Sequence, residues 1–487
     1  MTLLDWLVLG LYLVASVAIG LIAGGRQKDD KDYFLGRHRL PWPALAFSTV
    51  ATETSALTVI SVPATAYTGD LWFLQLAFGY FIGRTVVAWL ILPLHFRRGA
   101  TTTYAFLHER FGPTARRFAS VLFLTTRALG DSVRIFAASI PVTLLSGLPY
   151  WQSILITGAV TLIYTYWGGL RAVVWVDVMQ LILYVAGGVV AVLLLGQAVD
   201  GGWSSILAQL PPEKLNVFHF EGGFASGQWI LTGLVGGAVL SMASHGVDHL
   251  VVQRLMAAED LSASRKALMG DATIIIIQFA LFLAIGLGMF VYFGGRQFAA
   301  PDEVFPAFVI EAFPSGLAGL MIAGILAAAM STLASSINAL ASSTTHDLYA
   351  PLTKRDDPAH LMRVGKAFTL VWGLVLIGGA MLFRFVGQGT PVVIVALEIA
   401  SFTYGGLLGG FLVGMLSKRA TERDAIIGIA TAVAVMTVLW SIQQFGVVDR
   451  FLNGLWYSLI GSTITVAVGM LSAAIRRQSS VVSNSAP

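Results

Sequence analysis

The chain has 487 residues, of which 56% are hydrophobic and 11% charged, and its mean hydropathy is +0.78. Soluble domains usually carry about 25% charged residues, so this composition excludes a string of soluble domains and indicates a polytopic membrane protein. Cysteine is absent, which excludes disulfides, thiolate metal sites and cysteine nucleophiles.

Apolar runs of about 18 residues or more mark the spans that the chain can form in a bilayer. We predict an all-α fold of about 13 transmembrane helices, arranged as a single transmembrane transporter domain over residues 1–475. A cytoplasmic tail over residues 476–487 follows, and we expect it to be disordered from Gln478. The predicted spans lie near residues 3–23, 42–68, 71–95, 117–146, 151–169, 173–197, 228–252, 272–294, 317–345, 366–386, 392–417, 424–443 and 453–474.

Lysine and arginine are distributed unevenly between the two sides of this map. Most of the 30 lie in loops that follow the odd-numbered spans. Cytoplasmic loops carry such an excess, which predicts an outside N-terminus and a cytoplasmic C-terminus in the cell's inner (plasma) membrane. The same distribution accounts for the sequence pI of about 9.2 without nucleic acid. Two longer outer segments, 198–227 and 295–316, are expected to hold short interfacial helices, the second over the outer mouth.

The second predicted span contains AFSTVATETSALTVISVP, residues 46–63, which places Glu53 near mid-membrane among hydroxyl side chains. A carboxylate at that depth costs roughly 2.5 kcal/mol or more, and Pro63 disfavours helical geometry for the residue before it. These features predict a span that unwinds in mid-membrane, where its freed carbonyl oxygens suit a bare alkali cation. The alternative is an ordinary helix whose serines and threonines bond to their own carbonyls.

Charged residues also lie within the third and fourth predicted spans, at Arg84, Arg127, Asp131 and Arg134. Arg127 and Asp131 are spaced i,i+4, and Arg134 follows Asp131 by three residues, so the three share one helical face. Because buried ions are normally paired, one interpretation is a structural salt-bridge network that includes Glu53. The other is that one arginine is left to hold an anionic group of a solute.

Two further polar motifs lie at the cytoplasmic ends of predicted spans. WGGLRAVVWVDVMQ, residues 167–180, puts Asp177 where it lines the exit path of a cation or simply anchors a helix. SHGVDHLVVQR, residues 244–254, holds His245, Asp248 and His249 at helical spacings. No other cluster of metal ligands accompanies these three, so a gate or a proton relay is favoured over metal binding.

The ninth predicted span contains AAAMSTLASS, residues 327–336. The carbonyl of Ala328 and the hydroxyls of Ser331 and Thr332 are spaced i, i+3 and i+4, so they lie on one helical face. The alternative to a cation site is a packing seam of small residues. Paired with an unwound second span, however, these three oxygens predict a sodium site.

Taken together and in this order, four motifs resemble the sodium:solute symporter family. They are DYFLGRHRLPWPALAFSTVATETSALT, GGLRAVVWVDVMQ, HGVDHLVVQR and AAAMSTLASSINALASSTTHDLY, and the resemblance covers about residues 1–475. It implies a LeuT-type core of two inverted five-helix repeats with broken first helices, here about residues 42–197 and 228–417. The map agrees, because its second span starts inside and its seventh starts outside.

The resemblance also assigns an ion site, with Na⁺ as the coupling ion. The sodium ligands of the family match the carbonyls of Ala51, Thr54 and Ala328 and the hydroxyls of Ser331 and Thr332.

Asp177 matches an acidic residue of the ion path or, in some members, of a further sodium site. The two hydroxyls that complete that further site correspond here to Ala334 and Ser335. One ligand is therefore missing, and we expect one sodium ion per cycle. The residues expected to contact the solute are Glu53, Ser55, Thr58, Ala77, Tyr80, Ser241, Ser244 and His245.

The expected function is import of a small organic solute with sodium by alternating access, without enzymatic activity and with a monomer as the functional unit. Sugar-transporting members have Gln in place of Thr58 and a Tyr-Trp pair in place of Ser244-His245, which argues against a hexose. The mid-membrane arginines favour a carboxylate-bearing solute or an amino acid. The alternatives are a sugar or vitamin symporter of the same family and a proton-coupled transporter that uses Glu53, His245 or His249.

Overall fold

The computed structural model describes residues 2–96, 101–386, 392–444 and 446–484. Within these ranges the chain is helical and has no strand, only two isolated β-bridges. The helices are α1 (Leu3–Gly24), α2 (Asp30–Leu35), α3 (Trp42–Glu53), α4 (Ala56–Thr68), α5 (Phe73–Val86), α6 (Leu92–His95), α7 (Ala105–Arg110), α8 (Pro113–Ser146), α9 (Tyr150–Ala198), α10 (Gly202–Gln209), α11 (Gly237–Gly246), α12 (His249–Met256), α13 (Leu261–Tyr292), α14 (Val304–Ala312), α15 (Leu317–Ser343), α16 (Ala350–Thr353), α17 (Pro358–Val386), α18 (Val392–Leu416), α19 (Glu422–Gln444) and α20 (Tyr457–Asn484).

Every predicted span falls on one of these helices or on consecutive ones. Within the described residues, eight helical stretches are long and apolar enough to cross a membrane, or nine when the bent pair α3 and α4 counts as one span. The all-α polytopic architecture is therefore as predicted, whereas the number of about 13 spans stays a prediction.

The second predicted span is broken, as the sequence indicates. α3 ends at Glu53, α4 begins at Ala56, and the bend between them is 65°. Ser55 and Thr58 form a capping box at the start of α4, because each side chain accepts the backbone N–H of the other residue. Pro63 lies inside α4, so the break follows from the cap and not from the proline.

The seventh predicted span is broken in a similar way. α11 ends at Gly246, α12 begins at His249, and Asp248 caps α12 by accepting the N–H of Leu250 at 2.9 Å. Both predicted repeats thus begin with a broken helix. Arg254 lies within α12 and is fully buried, which corrects its predicted place in a cytoplasmic loop. The apolar run ends at this arginine, although the helix does not.

The fifth and sixth predicted spans join into one long element, α9. Gly169 interrupts it with φ 58° and ψ −156°. A Cβ atom at Gly169 would lie 2.5 Å from the carbonyl oxygen of Tyr33, so glycine satisfies both the conformation and the close contact. The interruption separates the two predicted spans without a loop between them.

α15 lies at the centre of the molecule and is buried along nearly its whole length. It packs against α1, α8, α9 and α17, while α13 packs against α3, α4 and α5, and α5 packs against α11. We call α3, α4, α5, α11, α12 and α13 the inner bundle. At Gly83 of α5 a Cβ atom would lie 2.2 Å from the carbonyl oxygen of Ala238, so α5 and α11 touch through their backbones. This contact holds polar side chains of the two helices close together.

Both segments that are predicted to lie outside contain a short helix, α10 in the first and α14 in the second. In the first segment, Lys214 Nζ donates to the carbonyls of Tyr67 at 2.7 Å and Gly69 at 2.9 Å, and so holds the C-terminal end of α4. α20 continues to Asn484, past Gln478, and before that point Arg476 lies 2.8 Å from Asp424 of α19. The predicted disorder is corrected to that extent, and residues 485–487 lie outside the described residues.

Candidate ion and solute site

The break between α3 and α4 lies directly against α15. Thr332 Oγ1 lies 3.3 Å from the carbonyl oxygen of Thr52 and 3.2 Å from that of Ala328, and Thr52 Oγ1 lies 3.0 Å from Ser335 Oγ. The structure therefore brings together the two stretches that hold the predicted sodium ligands. All five ligand residues are buried: Ala51, Thr54, Ala328, Ser331 and Thr332.

Two backbone carbonyls at the break are released from the helical hydrogen-bond pattern. In a continuous helix, the N–H of Ser55 would bond to the carbonyl of Ala51 and the N–H of Thr58 to that of Thr54. Here these two N–H groups bond to Thr58 Oγ1 and Ser55 Oγ instead. Carbonyls of unwound backbone at mid-membrane are ligands for sodium in transporters of this architecture.

A buried polar network adjoins this junction. Asp177 accepts the hydroxyl protons of Ser331 and Ser48, each at 2.6 Å. Arg254 lies 3.3 Å from Asp177, donates to Ser48 at 3.0 Å and also donates to Ser335. Because Ser331 gives its proton to Asp177, its oxygen lone pairs are available to a cation. Asp177 and Ser335, predicted for the ion path or a second ion site, therefore lie together around one arginine.

A cavity of about 500 Å³ begins at the break. It reaches Thr65 near the end of α4 and the loop before α20, which is the predicted outer side. Ala77, expected to contact the solute, is not among the lining residues, because its side chain is fully buried in the apolar core. The other predicted solute contacts all line the cavity: Glu53, Ser55, Thr58, Tyr80, Ser241, Ser244 and His245.

Glu53, Arg84, His245 and Asp271 converge at the edge of the cavity, and we call them the bundle cluster. Arg84 donates to Glu53 Oε2 at 2.5 Å and to Asp271 Oδ2 at 2.7 Å. His245 Nε2 lies 3.1 Å from Glu53 Oε1 and 3.6 Å from Asp271 Oδ2. The four side chains come from α3, α5, α11 and α13, so the cluster lies within the inner bundle.

A second charge cluster is centred on α8. Arg127 lies 3.2 Å and Arg134 3.5 Å from Asp131, as the predicted helical spacings require. Arg127 also donates to Asp248 through two nitrogens and to the hydroxyl of Tyr404 at 2.6 Å. The single predicted network is therefore two clusters, because the bundle cluster contains its own second carboxylate.

His245, Asp248 and His249 do not converge on a metal ion. The helix break separates them: His245 joins the bundle cluster, and Asp248 pairs with Arg127. His249 Nδ1 lies 3.1 Å from Thr103 Oγ1, and its Nε2 lies 3.2 Å from Ser342 Oγ. The three residues thus belong to three separate contacts.

The side of the molecule opposite the cavity mouth is held closed by polar contacts. Asp347 accepts from Arg116 at 2.7 Å and from Thr102 at 2.5 Å, and His346 lies 2.9 Å from Asp30 of α2. Burial alone would raise the pKa of Asp30, but the hydrogen bond and charge of His346 outweigh it and lower that pKa below its ordinary value. The cavity therefore opens to one side of the molecule, and polar contacts close the other.

Besides Arg254, sequence reasoning missed two site residues of α13, Asp271 and Gln278. The eighth predicted span begins at residue 272, so counting apolar residues leaves Asp271 just outside it. Gln278 Nε2 donates to Thr54 Oγ1 at 2.9 Å, at the break itself. The two residues are seven positions apart, two helical turns, and that spacing is the signal that places both on one face of α13.

Two broken spans, released carbonyls that face hydroxyls where α3 and α4 meet α15, and a solute-sized cavity open to one side define a secondary transporter of the LeuT-type fold. The family to which it belongs follows from comparison with known proteins. Residues 33–431 match the model of the sodium:solute symporter family. The chain belongs to this family; it is a sodium-coupled membrane transporter and not an enzyme, and its transported partners are a solute and the sodium ion.

Several relatives align over most of the chain. The sodium/sialic acid symporter NanT of Aliivibrio fischeri is 27% identical over 96% of this chain and 93% of its own length. The human sodium/iodide cotransporter is 30% identical, with 90% and 69% covered. A solved Na⁺-coupled sialic acid symporter, substrate-bound and outward-open, is 27% identical, with a TM-score of 0.87 over 97% of this chain and 98% of that one. Mhp1, a nucleobase-cation-symport-1 transporter, is 14% identical with a TM-score of 0.56 over 91% and 95% of the two chains, and it shares the fold alone.

Proposed function

We propose that the protein imports a small carboxylate-bearing organic solute together with one sodium ion by alternating access. The observation that carries this proposal is the junction of α3, α4 and α15, where released carbonyls meet hydroxyls beside the cavity. We further propose that it acts in the plasma membrane as one domain over residues 1–475, with the N-terminus outside and the tail 476–487 in the cytoplasm.

Sodium is proposed to bind the five oxygens at this junction, which are the carbonyls of Ala51, Thr54 and Ala328 and the hydroxyls of Ser331 and Thr332. An ion there connects the inner bundle to α15 and so stabilises the arrangement in which the cavity is open.

Arg254 supports a single sodium ion per cycle. Its guanidinium already bonds both Asp177 and Ser335, which would otherwise be available to a second cation. Ala334 offers no hydroxyl at the remaining position. Asp177 is then proposed to line the path by which the one sodium ion leaves toward the cytoplasm.

Arg134 is the arginine best placed to hold a carboxylate. Arg84 is fully buried and donates to two carboxylates, and Arg127 donates to Asp131, Asp248 and Tyr404. Arg134 lines the cavity, and its side chain is 20% exposed. Its ion pair with Asp131, at 3.5 Å, is longer than the ion pairs of Arg84 and Arg127. A solute carboxylate can therefore accept a bidentate pair of hydrogen bonds from this guanidinium.

The experiment that tests this function offers a panel of labelled solutes to proteoliposomes that hold the purified protein. The panel contains short carboxylates, amino acids, sugars and vitamins, each with and without an inward sodium gradient. We expect accumulation of a carboxylate-bearing solute that requires sodium. Accumulation of neutral sugars alone contradicts the solute class, and accumulation driven by a pH gradient in sodium-free buffer selects the proton-coupled alternative.

A further inference from the structure

The bundle cluster does not balance its own charge. With both carboxylates ionised and the imidazole of His245 neutral, the charges of Glu53, Asp271 and Arg84 sum to one net negative charge. Arg84, His245 and Asp271 are at most 2% exposed, and 18% of the Glu53 side chain faces the cavity. A net charge at such a buried position is costly, and one additional proton brings the cluster to neutrality.

The surroundings of His245 offer hydrogen-bond partners both to the neutral ring and to the imidazolium. Its Nε2 faces carboxylates, at 3.1 Å from Glu53 and 3.6 Å from Asp271. Its Nδ1 lies 2.8 Å from Ser244 Oγ and 3.2 Å from the carbonyl of Ser241. In the neutral ring Nδ1 accepts the Ser244 hydroxyl proton, and in the imidazolium Nδ1–H donates to the Ser241 carbonyl. Proton gain therefore requires no movement of the ring.

Asp271 provides a second, independent sign that the cluster holds a proton. Its Oδ1 is buried and has no hydrogen-bond partner among the described residues, whereas its Oδ2 accepts from Arg84. Buried carboxylate oxygens are rarely left in this state. A protonated Asp271 can donate this proton to the Glu53 carboxylate, with which it forms a side-chain hydrogen bond and which also lies 3.1 Å from His245 Nε2.

A metal ion fits this cluster poorly. Ligand atoms of Glu53, His245 and Asp271 lie within 4.8 Å of one another. The Arg84 guanidinium, however, contacts both carboxylates at 2.5 and 2.7 Å and occupies the position from which a cation would bridge them. A proton carries the required charge without displacing Arg84.

We propose that His245 and Asp271 hold one exchangeable proton, and that its binding neutralises the bundle cluster and so favours an anionic solute in the adjacent cavity. The second part rests on the proposed function, because it takes the solute to be a carboxylate. Ser244 and His245 line the cavity, which gives the proton a path from the outer side. Among the described residues, titratable or charged side chains near the cluster include Tyr80 of α5, Arg134 of α8 and Tyr184 of α9.

The proton is tested first without sodium or solute. Purified full-length protein is titrated between about pH 8 and pH 5, the range in which histidine usually changes charge, and compared with His245→Gln. We expect the wild type to bind one proton more than the variant over this range. His346→Gln, which removes a histidine bonded to Asp30 on the closed side, is titrated in parallel to show what loss of an unrelated buried histidine does. Equal proton binding by the wild type and His245→Gln overturns the proposal.

Sodium alone then serves as a probe of the charge. Glu53 is adjacent in sequence to the proposed ligand Thr54, so a proton on the cluster weakens sodium binding, and by linkage the sodium Kd changes by up to tenfold per pH unit for one proton. Binding of radioactive sodium is measured across the same pH range. We expect the sodium Kd to change with pH in the wild type and in His346→Gln. In His245→Gln and Asp271→Asn we expect a sodium Kd that does not depend on pH.

The outcomes separate this inference from the proposed function. Sodium binding with no pH slope in the wild type, or with the full slope retained in Asp271→Asn, overturns the proton site and leaves the sodium site intact. Absence of sodium binding at every pH refutes the sodium site, and the sodium-free titration still decides the proton. If Asp271→Asn does not fold, His245→Gln alone is compared with the wild type, both in the proton titration and in the pH dependence of sodium binding.

Discussion

Thr332 gives the most direct test of the ion site, because Thr332→Val removes one hydroxyl and preserves the shape of the side chain. In the structure this hydroxyl lies 3.2 Å from the carbonyl of Ala328 and 3.3 Å from that of Thr52. Its proton therefore stabilises the fold through a hydrogen bond, while its oxygen is a proposed ligand of the sodium ion. Loss of an ordinary hydrogen bond costs about 0.5–1.5 kcal/mol of folding stability. Loss of a bond to a charged group costs about 1.5–3 kcal/mol, which weakens sodium binding by roughly 10- to 150-fold.

The matched control is Thr465→Val. Thr465 is buried in α20 and donates to the carbonyl of Gly461 at 2.9 Å, one turn back, as Thr332 does to Ala328. Both variants therefore lose one similar hydrogen bond, but only one loses a proposed ligand. Radioactive sodium binding to purified protein gives both Kd values, and thermal unfolding gives both stabilities. Equal sodium Kd values in the two variants refute the assignment of Thr332.

Three further predictions follow from other parts of the structure. Arg134→Gln raises the KM for uptake of a carboxylate solute at least tenfold and leaves the sodium Kd within twofold. The control Arg296→Gln, at an exposed ion pair, changes neither the KM nor the sodium Kd. Gly83→Ala destabilises the protein by about 1–3 kcal/mol, seen as a lower unfolding temperature, because its Cβ would lie 2.2 Å from a carbonyl oxygen of α11. Asp30→Asn unfolds at a lower temperature than the wild type at pH 7, and this difference in unfolding temperature shrinks below about pH 4. The reason is that the pKa of Asp30 is lowered in the folded protein, so its ionised form stabilises the fold, and this contribution is lost as pH falls.

The helix break could be predicted from the sequence, but its cause could not be assigned correctly. The hydroxyl-rich stretch around Glu53 indicates unwound backbone, and the structure shows a break there. In the sequence, Pro63 is as good a candidate for the cause of the break as the hydroxyl residues are. Only the structure shows that Ser55 and Thr58 cap the second helix and that the proline lies inside it. Local sequence therefore predicts that a span is polar at mid-depth more reliably than it predicts which residue ends the helix.

The partners of the buried charges could not be predicted, since pairing depends on which helices meet. Spacing along α8 gives the pairs of Asp131 with its two arginines, because both partners lie on one helix. Arg84 pairs with Asp271, 187 positions away, and no periodicity in a single chain indicates such a contact. Counting apolar residues also ends the seventh predicted span just before Arg254 and begins the eighth just after Asp271. That rule places Asp271 and Arg254 in loops, although both are fully buried.

The two charge clusters differ in what they connect, and this difference suggests how the molecule moves. The bundle cluster joins helices of the inner bundle to one another, so it stays intact if the bundle rocks as one body. The contact of Arg127 with Asp248 joins α8 to α12, across the boundary of the bundle, and therefore has to break when the closed side opens.

Asp248→Asn tests this mechanism, because it removes the charge from the contact that has to break. Each 1.4 kcal/mol lost from the closed state shifts the population about tenfold toward opening on that side. The chain has no cysteine, so a single Ser342→Cys reports access by an impermeant thiol reagent, because Ser342 is buried and contacts His249, the residue after Asp248. We expect faster labelling from the closed side in the Asp248→Asn background and slower labelling when sodium is added. Asp260→Asn, at the exposed start of α13, is the control for a lost carboxylate. Equal labelling rates in the two backgrounds would mean that Arg127 and Asp248 do not hold the closed side shut.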